Sequence, residues 1–463
     1  MFRYAPANMY RIAIHLKRLL LLGADLIALQ LALLTTLWLR YGELAENTWR
    51  QHALPFAMIS FLWVTGLFVT GLYDLSKARN GVAFFRTFLE GMFVNLLIAF
   101  AFFYLIPFGI EPRTNLLLFF AISLLFIYCW RLVFNRFITK ELMKNRILYI
   151  GPAEDALRLR DLIANNTLGF ELATVIHTTP RFSHEADGLR WNERMDTLVP
   201  LMMEERINAI VIEHGIEEHP EMRDQLYMAL HTSAALIDRK ELEETLTGRV
   251  PITDVNKAWF LKNLRESEKM WFEALKRGLD VLFALPVAVL TLMLTPIIAL
   301  AVKLSSPGPV LFRQERVGKH GKRFWIVKFR TMREDAEANG AQFATIQDPR
   351  ITAVGAFLRA TRLDELPQVW NVLKGDMSFV GPRPERPEFV DQLTERLPFY
   401  ALRHLTRPGL TGWAQVRYKY ASSLEENLVK LQYDLFYVKH RSLILDLAIL
   451  LKTINTVVRR QGT

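Results

Sequence analysis

The sequence predicts a membrane protein of class α plus α/β, with a four-helix transmembrane bundle, a doubly wound Rossmann-like domain and a monotopic C-terminal domain. Three observations lead to this prediction. Apolar residues make up 51% of the 463 residues, more than an ordinary soluble chain contains. Four apolar runs long enough to cross a bilayer lie within residues 1–145. A fifth apolar run, at residues 279–302, has basic residues on both sides.

The predicted domain boundaries are residues 1–145 for the bundle, 146–265 for the Rossmann-like domain and 266–463 for the C-terminal domain. The four apolar runs of the bundle lie near Leu16–Leu39, Ala53–Leu72, Phe88–Phe108 and Leu116–Phe134. Each has about the 20 residues that a helix needs to cross the hydrocarbon core. The first run lacks the cleavage signature of a signal peptide, so we expect it to remain as a span.

Basic residues before the first run, between the second and third runs and after the fourth run predict the orientation of the bundle. They are Arg3, Arg11, Lys17, Arg18, Lys77, Arg79, Arg86, Arg131, Arg136, Lys140, Lys144 and Arg146. Arg113 is the only basic residue in the third connection, so both ends of the bundle are expected in the cytoplasm. Asp25, inside the first run, is interpreted as an interfacial or packed residue, with a functional intramembrane acid as the alternative.

The net charge of +10 suits either nucleic acid or the basic flanks of a membrane protein. Because the chain carries spans, the second explanation is simpler, and no nucleic-acid partner is expected. Cys129 is the only cysteine, which excludes a disulfide within the chain and a cysteine-based zinc site.

Between residues 146 and 265 the pattern alternates between strands and helices, which predicts a small doubly wound sheet. The expected elements are strands Arg146–Gly151, Glu171–Ile176 and Asn208–Ile212, helices Glu154–Ile163 and Trp191–Glu205, and a helix after Glu217. The turn GPAEDA keeps one glycine of a dinucleotide-binding motif, and His177 stands where an acidic ribose ligand is expected. A structural or regulatory domain is therefore favoured over a nucleotide-binding one, and Leu246–Leu261 is interpreted as a linker.

The run at residues 279–302 is expected to enter the membrane, bend at Thr295 and Pro296, and return to the same side. Basic residues at both ends favour this re-entrant path, because positive flanks mark the cytoplasmic face. Proline removes one helical hydrogen bond, and a threonine hydroxyl can bond to a freed carbonyl. The alternative is a fifth span that is kinked by proline.

Residues 360–385 read ATRLDELPQVWNVLKGDMSFVGPRPE and form the candidate site. Proline is tolerated in the first turn of a helix, so Pro367 places Asp364 and Glu365 at a helix start. Arg383 lies between two prolines, on a stiff backbone that suits a phosphate clamp. The apolar stripe expected to fasten the helix consists of Leu366, Val369, Trp370 and Leu373. The plainer alternative is that the two acids cap a helix and pair with Arg383.

Four motifs in order, SSPGPVLFRQ, KFRTM, LDELPQVWNVLKGDMSFVGPRP and RPGLTGWAQV, resemble the bacterial sugar transferases, which are monotopic phosphoglycosyl transferases. The resemblance covers roughly residues 270–463. Four spans and a degenerate nucleotide-binding-like domain in front resemble the long, polyprenyl-phosphate hexose-1-phosphate transferase branch. The visible departure is Thr295, where the family more often has serine.

The resemblance implies transfer of a sugar-1-phosphate from a UDP-sugar to undecaprenyl phosphate, with release of UMP and use of Mg²⁺. It implies that Asp364 is the nucleophile and forms a phosphosugar-aspartyl intermediate, and that Glu365 assists the incoming phosphate or binds metal with Asp364. The cations expected to neutralise the phosphate oxygens are Lys328, Arg330, Arg359 and Arg383. The expected place is the cytoplasmic face of the bacterial inner membrane, at the first membrane step of exopolysaccharide, capsule or O-antigen synthesis.

A non-catalytic membrane scaffold for polysaccharide assembly is the alternative function. Membrane lipids are expected partners in either case, and the N-terminal spans are candidates for self-association as a homodimer. Near the C-terminus, Pro398–Leu405 and Ser442–Val458 combine apolar stripes with basic residues, which predicts helices in the headgroup plane. The basic residues are Arg403, His404, Lys452, Arg459 and Arg460. Trp413 is interpreted as an interfacial anchor, a nucleotide neighbour or a core residue.

Overall fold

The structure is a computed structural model that describes residues 8–43, 45–73, 80–106, 113–138, 145–164, 170–177, 189–192, 198–213, 215–216, 220–229, 231–232, 234–252, 255–264, 269–333, 348–418 and 423–458. The chain forms two compact units, residues 1–247 and residues 248–463. Some of the basic residues used to predict orientation lie outside the described residues, namely Arg3, Lys77, Arg79, Lys140 and Lys144.

Four long apolar helices open the first unit. Their bounds are Asn8–Tyr41 (α1), Glu46–Val69 (α2), Val82–Leu105 (α3) and Arg113–Ile138 (α4). Helix α1 packs against α2 and α4, and α3 also packs against α2 and α4. Aromatic rings form part of their shared core, where Phe119 lies 5.0 Å from Trp63 and 5.1 Å from Phe56 between ring centroids. The predicted set of apolar N-terminal helices is confirmed, and each contains a stretch long and apolar enough to cross a membrane.

Asp25 and Arg131 form a buried ion pair inside these four helices. The Tyr73 hydroxyl donates to Asp25 Oδ2 at 2.6 Å, and Arg131 also donates to the carbonyl of Leu72. A buried pair is tolerated when hydrogen bonds satisfy its remaining polar atoms. Asp25 is therefore a packed residue, and Arg131 is not an exposed basic flank.

A five-stranded parallel sheet of order β3-β2-β1-β4-β5 completes the first unit. Its elements are Asn145–Gly151 (β1), Ala153–Ala164 (α5), Phe170–His177 (β2), Arg190–Asn192 (β3), Leu198–Glu204 (α6), Ala209–Ile212 (β4), Pro220–Ala229 (α7), Ala235–Asp238 (β5) and Arg239–Thr247 (α8). Helices α5 and α8 cover one face of the sheet, and α6 and α7 cover the other. The prediction of a doubly wound sheet is confirmed.

One element of this sheet was predicted wrongly. Trp191 and Asn192, expected at the start of a helix, belong to strand β3, and helix α6 begins only at Leu198. Trp191 pairs with Val175 of β2 and packs against His177. Three residues are too few to show either a strand period or a helical one.

The second unit contains a long helix, a β-hairpin and several short elements. They are Lys257–Asn263 (α9), Met270–Ser305 (α10), Leu311–Val317 (β6), Arg323–Phe329 (β7), Ala353–Thr361 (α11), Val369–Lys374 (α12), Ser378–Val380 (β8), Pro387–Arg396 (α13), Gly409–Thr411 (β9), Trp413–Arg417 (α14), Leu424–His440 (α15) and Leu443–Val458 (α16). Strands β6 and β7 are antiparallel, and β8 and β9 are parallel.

One face of helix α10 packs against the rest of the second unit, and the opposite face is apolar and exposed. The buried side chains recur at helical spacing and are Lys276, Asp280, Ala284, Ala288, Thr291, Ile298 and Val302. At one end Lys276 pairs with Asp446, and at the other end Val302 packs with Phe329 and Leu358. The exposed side chains include Leu282, Phe283, Leu285, Val289, Leu290, Leu292, Met293, Ile297, Leu300 and Leu304. The unit therefore packs along the whole length of this helix.

Pro286 and Pro296 both lie inside α10, which continues through them. The Thr295 hydroxyl donates to the carbonyl of Thr291 at 2.6 Å. The carbonyl that Pro296 deprives of its helical donor is that of Leu292. The sequence predicted that the Thr295 hydroxyl bonds to the freed carbonyl. In the structure it bonds to the carbonyl of Thr291, one residue earlier.

The division between the units falls at Thr247 and Gly248, earlier than the predicted boundary at residue 265. Val250, Ile252 and Phe260 are buried in one cluster with residues of α13 and α15. The segment interpreted as a linker is thus part of the core of the second unit.

Candidate active site

The backbone places Asp364 and Glu365 in a 3₁₀ helix, Leu363–Gln368, that directly precedes α12. Arg362 enters this turn in the left-handed region at φ +57°, which is uncommon for a residue with a Cβ atom. The N–H of Glu365 donates to the Arg362 carbonyl. The two acids therefore lie in a 3₁₀ turn that leads into α12, at the helix start that the sequence predicted.

Packing behind the turn holds the two acids in place. Val369 and Val372 are fully buried in a cluster with Ala284 and Ala288 of α10. Trp370, expected in the apolar stripe, is 46% exposed. The prediction for Trp370 is wrong, because Val369 and Val372 form the buried face of α12.

Glu365 is surrounded by three cations. Its Oε1 atom lies 3.4 Å from Lys328 Nζ, 3.4 Å from Arg383 Nη2 and 3.7 Å from Arg362 Nη1. Burial would raise the pKa of Glu365, but the three cations outweigh burial and lower this pKa to about 2. Glu365 is therefore ionised throughout the physiological pH range.

Asp364 has the opposite character. Burial raises its pKa to about 6, the negative charge of Glu365 acts in the same direction, and Lys328 opposes both. The side chain is 7% exposed, and its Oδ1 atom has no hydrogen-bond partner among the described residues. A desolvated carboxylate oxygen without a donor is a stronger nucleophile than one held by hydrogen bonds.

Lys328 comes from a strand that precedes the two acids in the sequence, and Arg383 comes from a segment that follows them. Lys328 projects from β7, where it pairs across the hairpin with Phe312. Burial lowers the pKa of Lys328, and Glu365 partly restores it. Arg383 follows β8, and the charge of Glu365 raises its pKa. The structure thus brings together Lys328, Asp364, Glu365 and Arg383, as the sequence motifs suggested.

Arg330 bonds to the backbone at the end of α10, whereas Arg359 lies near Asp364. The buried Arg330 guanidinium donates to the carbonyls of Pro307 at 2.7 Å and Ser306 at 2.8 Å, immediately after α10. Its two terminal nitrogens therefore bond to the end of that helix, whereas the buried Nε atom has no hydrogen-bond partner among the described residues. A phosphate-binding role for Arg330 stays a prediction. Arg359 donates to the Thr331 hydroxyl at 3.0 Å and is close enough to Asp364 to lower its pKa.

Arg362 is the site residue that the sequence analysis missed. Its side chain is 38% exposed and lies beside both acids. The available signal was its position three residues before Glu365, a spacing at which side chains meet on a helix.

The residues present suit a magnesium ion only in part. The described residues contain no group of three or more histidine, cysteine, aspartate or glutamate side chains that could hold a metal. Asp364 makes no ion pair among the described residues, whereas the Glu365 carboxylate lies near three cations. Magnesium commonly takes one or two carboxylates and completes its shell with phosphates and water, so Asp364 fits this pattern better than Glu365.

The C-terminal elements differ in exposure. Arg403, expected to face lipid headgroups, is buried and paired with Asp434, so that part of the interfacial prediction is wrong. Helix α16 leaves Ile444, Leu447 and Ile454 exposed. Trp413 is buried and donates to the Gly248 carbonyl at 2.7 Å, which identifies it as a core residue.

The carboxyl end of β1, where a doubly wound sheet usually binds phosphate, is crowded and acidic. Burial raises the pKa of Tyr149, and Asp155, Glu213 and Asp238 act in the same direction. A Cβ atom on Gly151 would lie 2.3 Å from the Tyr149 hydroxyl. These features disfavour a nucleotide phosphate at that position.

Two protein families match the chain. The bacterial sugar transferase family matches residues 271–460, and the CoA-binding domain family matches residues 69–234. The first match contains α10 from its second residue onward and every residue of the candidate active site.

Three curated relatives show the same similarity. A UDP-N-acetylgalactosamine-undecaprenyl-phosphate N-acetylgalactosaminephosphotransferase of Aeromonas hydrophila is 48% identical over 48% of this chain and 52% of its own length. UDP-glucose:undecaprenyl-phosphate glucose-1-phosphate transferases are 46% identical in Caulobacter vibrioides, over 40% of this chain and 69% of the relative, and 44% identical in Escherichia coli, over 39% of each chain. The matched part is thus about half the length of the Aeromonas relative and less of the Escherichia one.

Proposed function

Since this chain belongs to the bacterial sugar transferase family, we propose that it transfers a sugar-1-phosphate from a UDP-sugar to undecaprenyl phosphate and releases UMP. The observation that carries this proposal is the buried acid Asp364 beside Glu365, with Lys328, Arg362 and Arg383 within 3.7 Å of the Glu365 carboxylate. An excess of cations around a nucleophilic acid suits a diphosphate donor.

In the first step, an oxygen of the Asp364 carboxylate attacks the β-phosphorus of the UDP-sugar. A bond forms between this oxygen and phosphorus, the bond to the bridging oxygen breaks, and UMP leaves with the electron pair. Lys328 and Arg383 bind the phosphate oxygens as negative charge moves toward the leaving group. Arg362, the most exposed of the three cations, is suited to contact the departing UMP.

In the second step, a phosphate oxygen of undecaprenyl phosphate attacks the same phosphorus, and the bond to Asp364 breaks. Glu365 stays ionised and keeps its three cations in place for both steps. We propose Mg²⁺ as the cofactor, held by Asp364 together with substrate phosphates, where it would supply further neutralisation of phosphate charge.

The direct test supplies purified full-length protein in lipid with undecaprenyl phosphate and, in turn, UDP-glucose, UDP-galactose and their N-acetylated forms. We expect UMP release and a lipid-linked sugar diphosphate with at least one donor. Release of UMP only when both substrates are present would point to direct transfer and against the aspartyl intermediate. Absence of both products with every donor would favour the scaffold alternative.

The packing of α10 supports a re-entrant path with the site on the cytoplasmic face of the inner membrane. Lys276 and Val302 are about 39 Å apart along a helix axis, more than the roughly 30 Å of a hydrocarbon core. In a straight crossing they would lie on opposite sides of the membrane. Both residues contact the same compact unit. One unit cannot lie on both sides of the membrane at once, so a straight crossing does not fit this packing.

Single cysteines in a Cys129→Ser background test this path. Lys257→Cys precedes α10, and Lys374→Cys follows it on an exposed part of α12. In intact spheroplasts we expect neither cysteine to react with a membrane-impermeant maleimide, and both to react after permeabilisation. External labelling of the cysteine at position 374 alone would show that α10 is a fifth span. A homodimer through the N-terminal helices and a role in exopolysaccharide, capsule or O-antigen synthesis remain predictions.

A further inference from the structure

The segment that carries Arg383 has no regular secondary structure, yet four consecutive carbonyls in it accept hydrogen bonds from separate donors. The donors to the carbonyls of Pro382, Arg383, Pro384 and Glu385 are Gly409 N at 3.0 Å, Arg403 Nη2 at 2.9 Å, Arg316 Nη1 at 3.2 Å and Val317 N at 3.0 Å. Prolines have no N–H, so this segment depends on its carbonyls for anchoring.

Arg403 donates the hydrogen bond to the carbonyl of Arg383, the residue of this segment that takes part in the proposed chemistry. It is 4% exposed. Besides the Arg383 carbonyl, its guanidinium donates to Asp434 Oδ2 at 2.8 and 3.1 Å and to the Tyr400 hydroxyl at 2.9 Å. All three of its nitrogens therefore bond to the protein.

Helix α15 fixes Arg403 and the neighbouring acid together. Asp434 and Lys430 lie one turn apart on this helix, so they project to the same side. Asp434 holds Arg403, while Lys430 pairs with Glu385, which also lies 3.8 Å from Arg316. The helix starts with a capping box at Ser423 and Glu426, which stabilises its first turn.

We infer that the buried pair Arg403 and Asp434 is a positioning device that aims the Arg383 guanidinium at Glu365 and the phosphate site. The inference rests on the proposed function and adds two residues, outside the substrate site, on which phosphate stabilisation depends. A bond to the backbone of Arg383 fixes where its side chain starts, and a shift of about 1 Å at a catalytic group can cost on the order of 10²-fold in rate.

A double-mutant cycle between Arg403→Lys and Arg383→Ala tests the inference, with UMP release as the assay. We expect Arg403→Lys to lower kcat on the order of 10²-fold with little change in the KM for the UDP-sugar. In the Arg383→Ala background the same substitution should cost little more, because the residue it positions is gone. Multiplied losses in the double variant would contradict the inference.

Asp434→Asn provides a second route, because it leaves Arg403 in place and removes only its carboxylate anchor. It should show the same dependence on Arg383 if Arg403→Lys does not fold. Glu273→Gln is the matched control, since Glu273 pairs with Arg441, Arg407 and Lys319 rather than with Arg403 or a donor to the carbonyls of residues 382–385. It should leave kcat unchanged, and an equal loss there would show a general effect of removing an ion pair. If the wild-type protein releases no UMP, the proposed function fails and the inference fails with it.

Discussion

Replacement of Asp364 by asparagine is expected to abolish formation of the lipid-linked sugar diphosphate and UMP release. The amide cannot attack phosphorus, so both half-reactions are lost, and a nucleophile is worth on the order of 10⁴-fold or more in rate. The fold should survive, because Oδ1 makes no hydrogen bond among the described residues. Full product formation by this variant would contradict the nucleophile assignment. Asp391→Asn, on an exposed position of α13, is the control and should keep wild-type turnover.

The same substitution should raise stability at neutral pH. Asp364 has a pKa of about 6 in the fold and an ordinary value of 3.8, so holding it ionised at pH 7 costs up to about 3 kcal/mol. This cost is absent below pH 4, grows between pH 4 and pH 6 and is complete above pH 6. The variant should therefore have a higher Tm than the wild type at pH 7, and the difference should shrink at pH 5.

Activity should follow the ionisation of Asp364 in the opposite sense. We expect kcat/KM for the UDP-sugar to fall tenfold per pH unit below about pH 6, because kcat/KM reports the free enzyme. Glu365→Gln should move this break to lower pH, since the charge of Glu365 raises the pKa of Asp364. A pH profile that breaks at the ordinary pKa of an aspartate would show that Asp364 is not the titrating group.

Replacement of Lys328 by methionine is expected to lower kcat by about 10²- to 10³-fold, the usual loss when one preorganised charge at a transition state is removed. Methionine fills a similar volume but leaves Glu365 with two cations instead of three. Lys328 lowers the pKa of Asp364, so its removal should also shift the break in the pH profile upward. Glu365→Gln and Lys328→Met therefore move the same break in opposite directions.

Lys374→Met is the matched control for Lys328→Met. Lys374 lies on α12 close to the site in sequence, and its side chain is 75% exposed and pairs with Asp376. Turnover and the pH profile should remain those of the wild type. A loss in Lys374→Met as large as that in Lys328→Met would show that overall charge in this region, rather than the position of Lys328, controls the rate.

Local patterns were sufficient for the apolar helices, the parallel sheet and the position of the acids. Span-length apolar runs predicted α1 to α4, and strand and helix alternation predicted the doubly wound sheet around β1. These features depend on residues that are near one another in the chain, where periodicity is informative. The strand at residues 190–192 was missed because three residues are too few to show a period.

Contacts between distant segments decided the remaining features. KFRTM carries both Lys328 and Arg330, yet Lys328 reaches Glu365 while Arg330 reaches the end of α10. The sequence predicted that Arg403 faces lipid headgroups, but in the structure it is buried in an ion pair with Asp434. The sequence around each of these cations does not indicate which carbonyl or carboxylate will be its partner in the folded protein.

The sequence alone determined where the acids, the cations and the apolar segments stand along the chain, and to which family the motifs point. The tertiary structure alone decided that Asp364 has a raised pKa and Glu365 a lowered one, although the two are adjacent in sequence. The physical reason is that a pKa depends on burial and on charges within a few ångströms. Two of those charges, Lys328 on β7 and Arg383 after β8, come from distant segments that only folding brings to the acids.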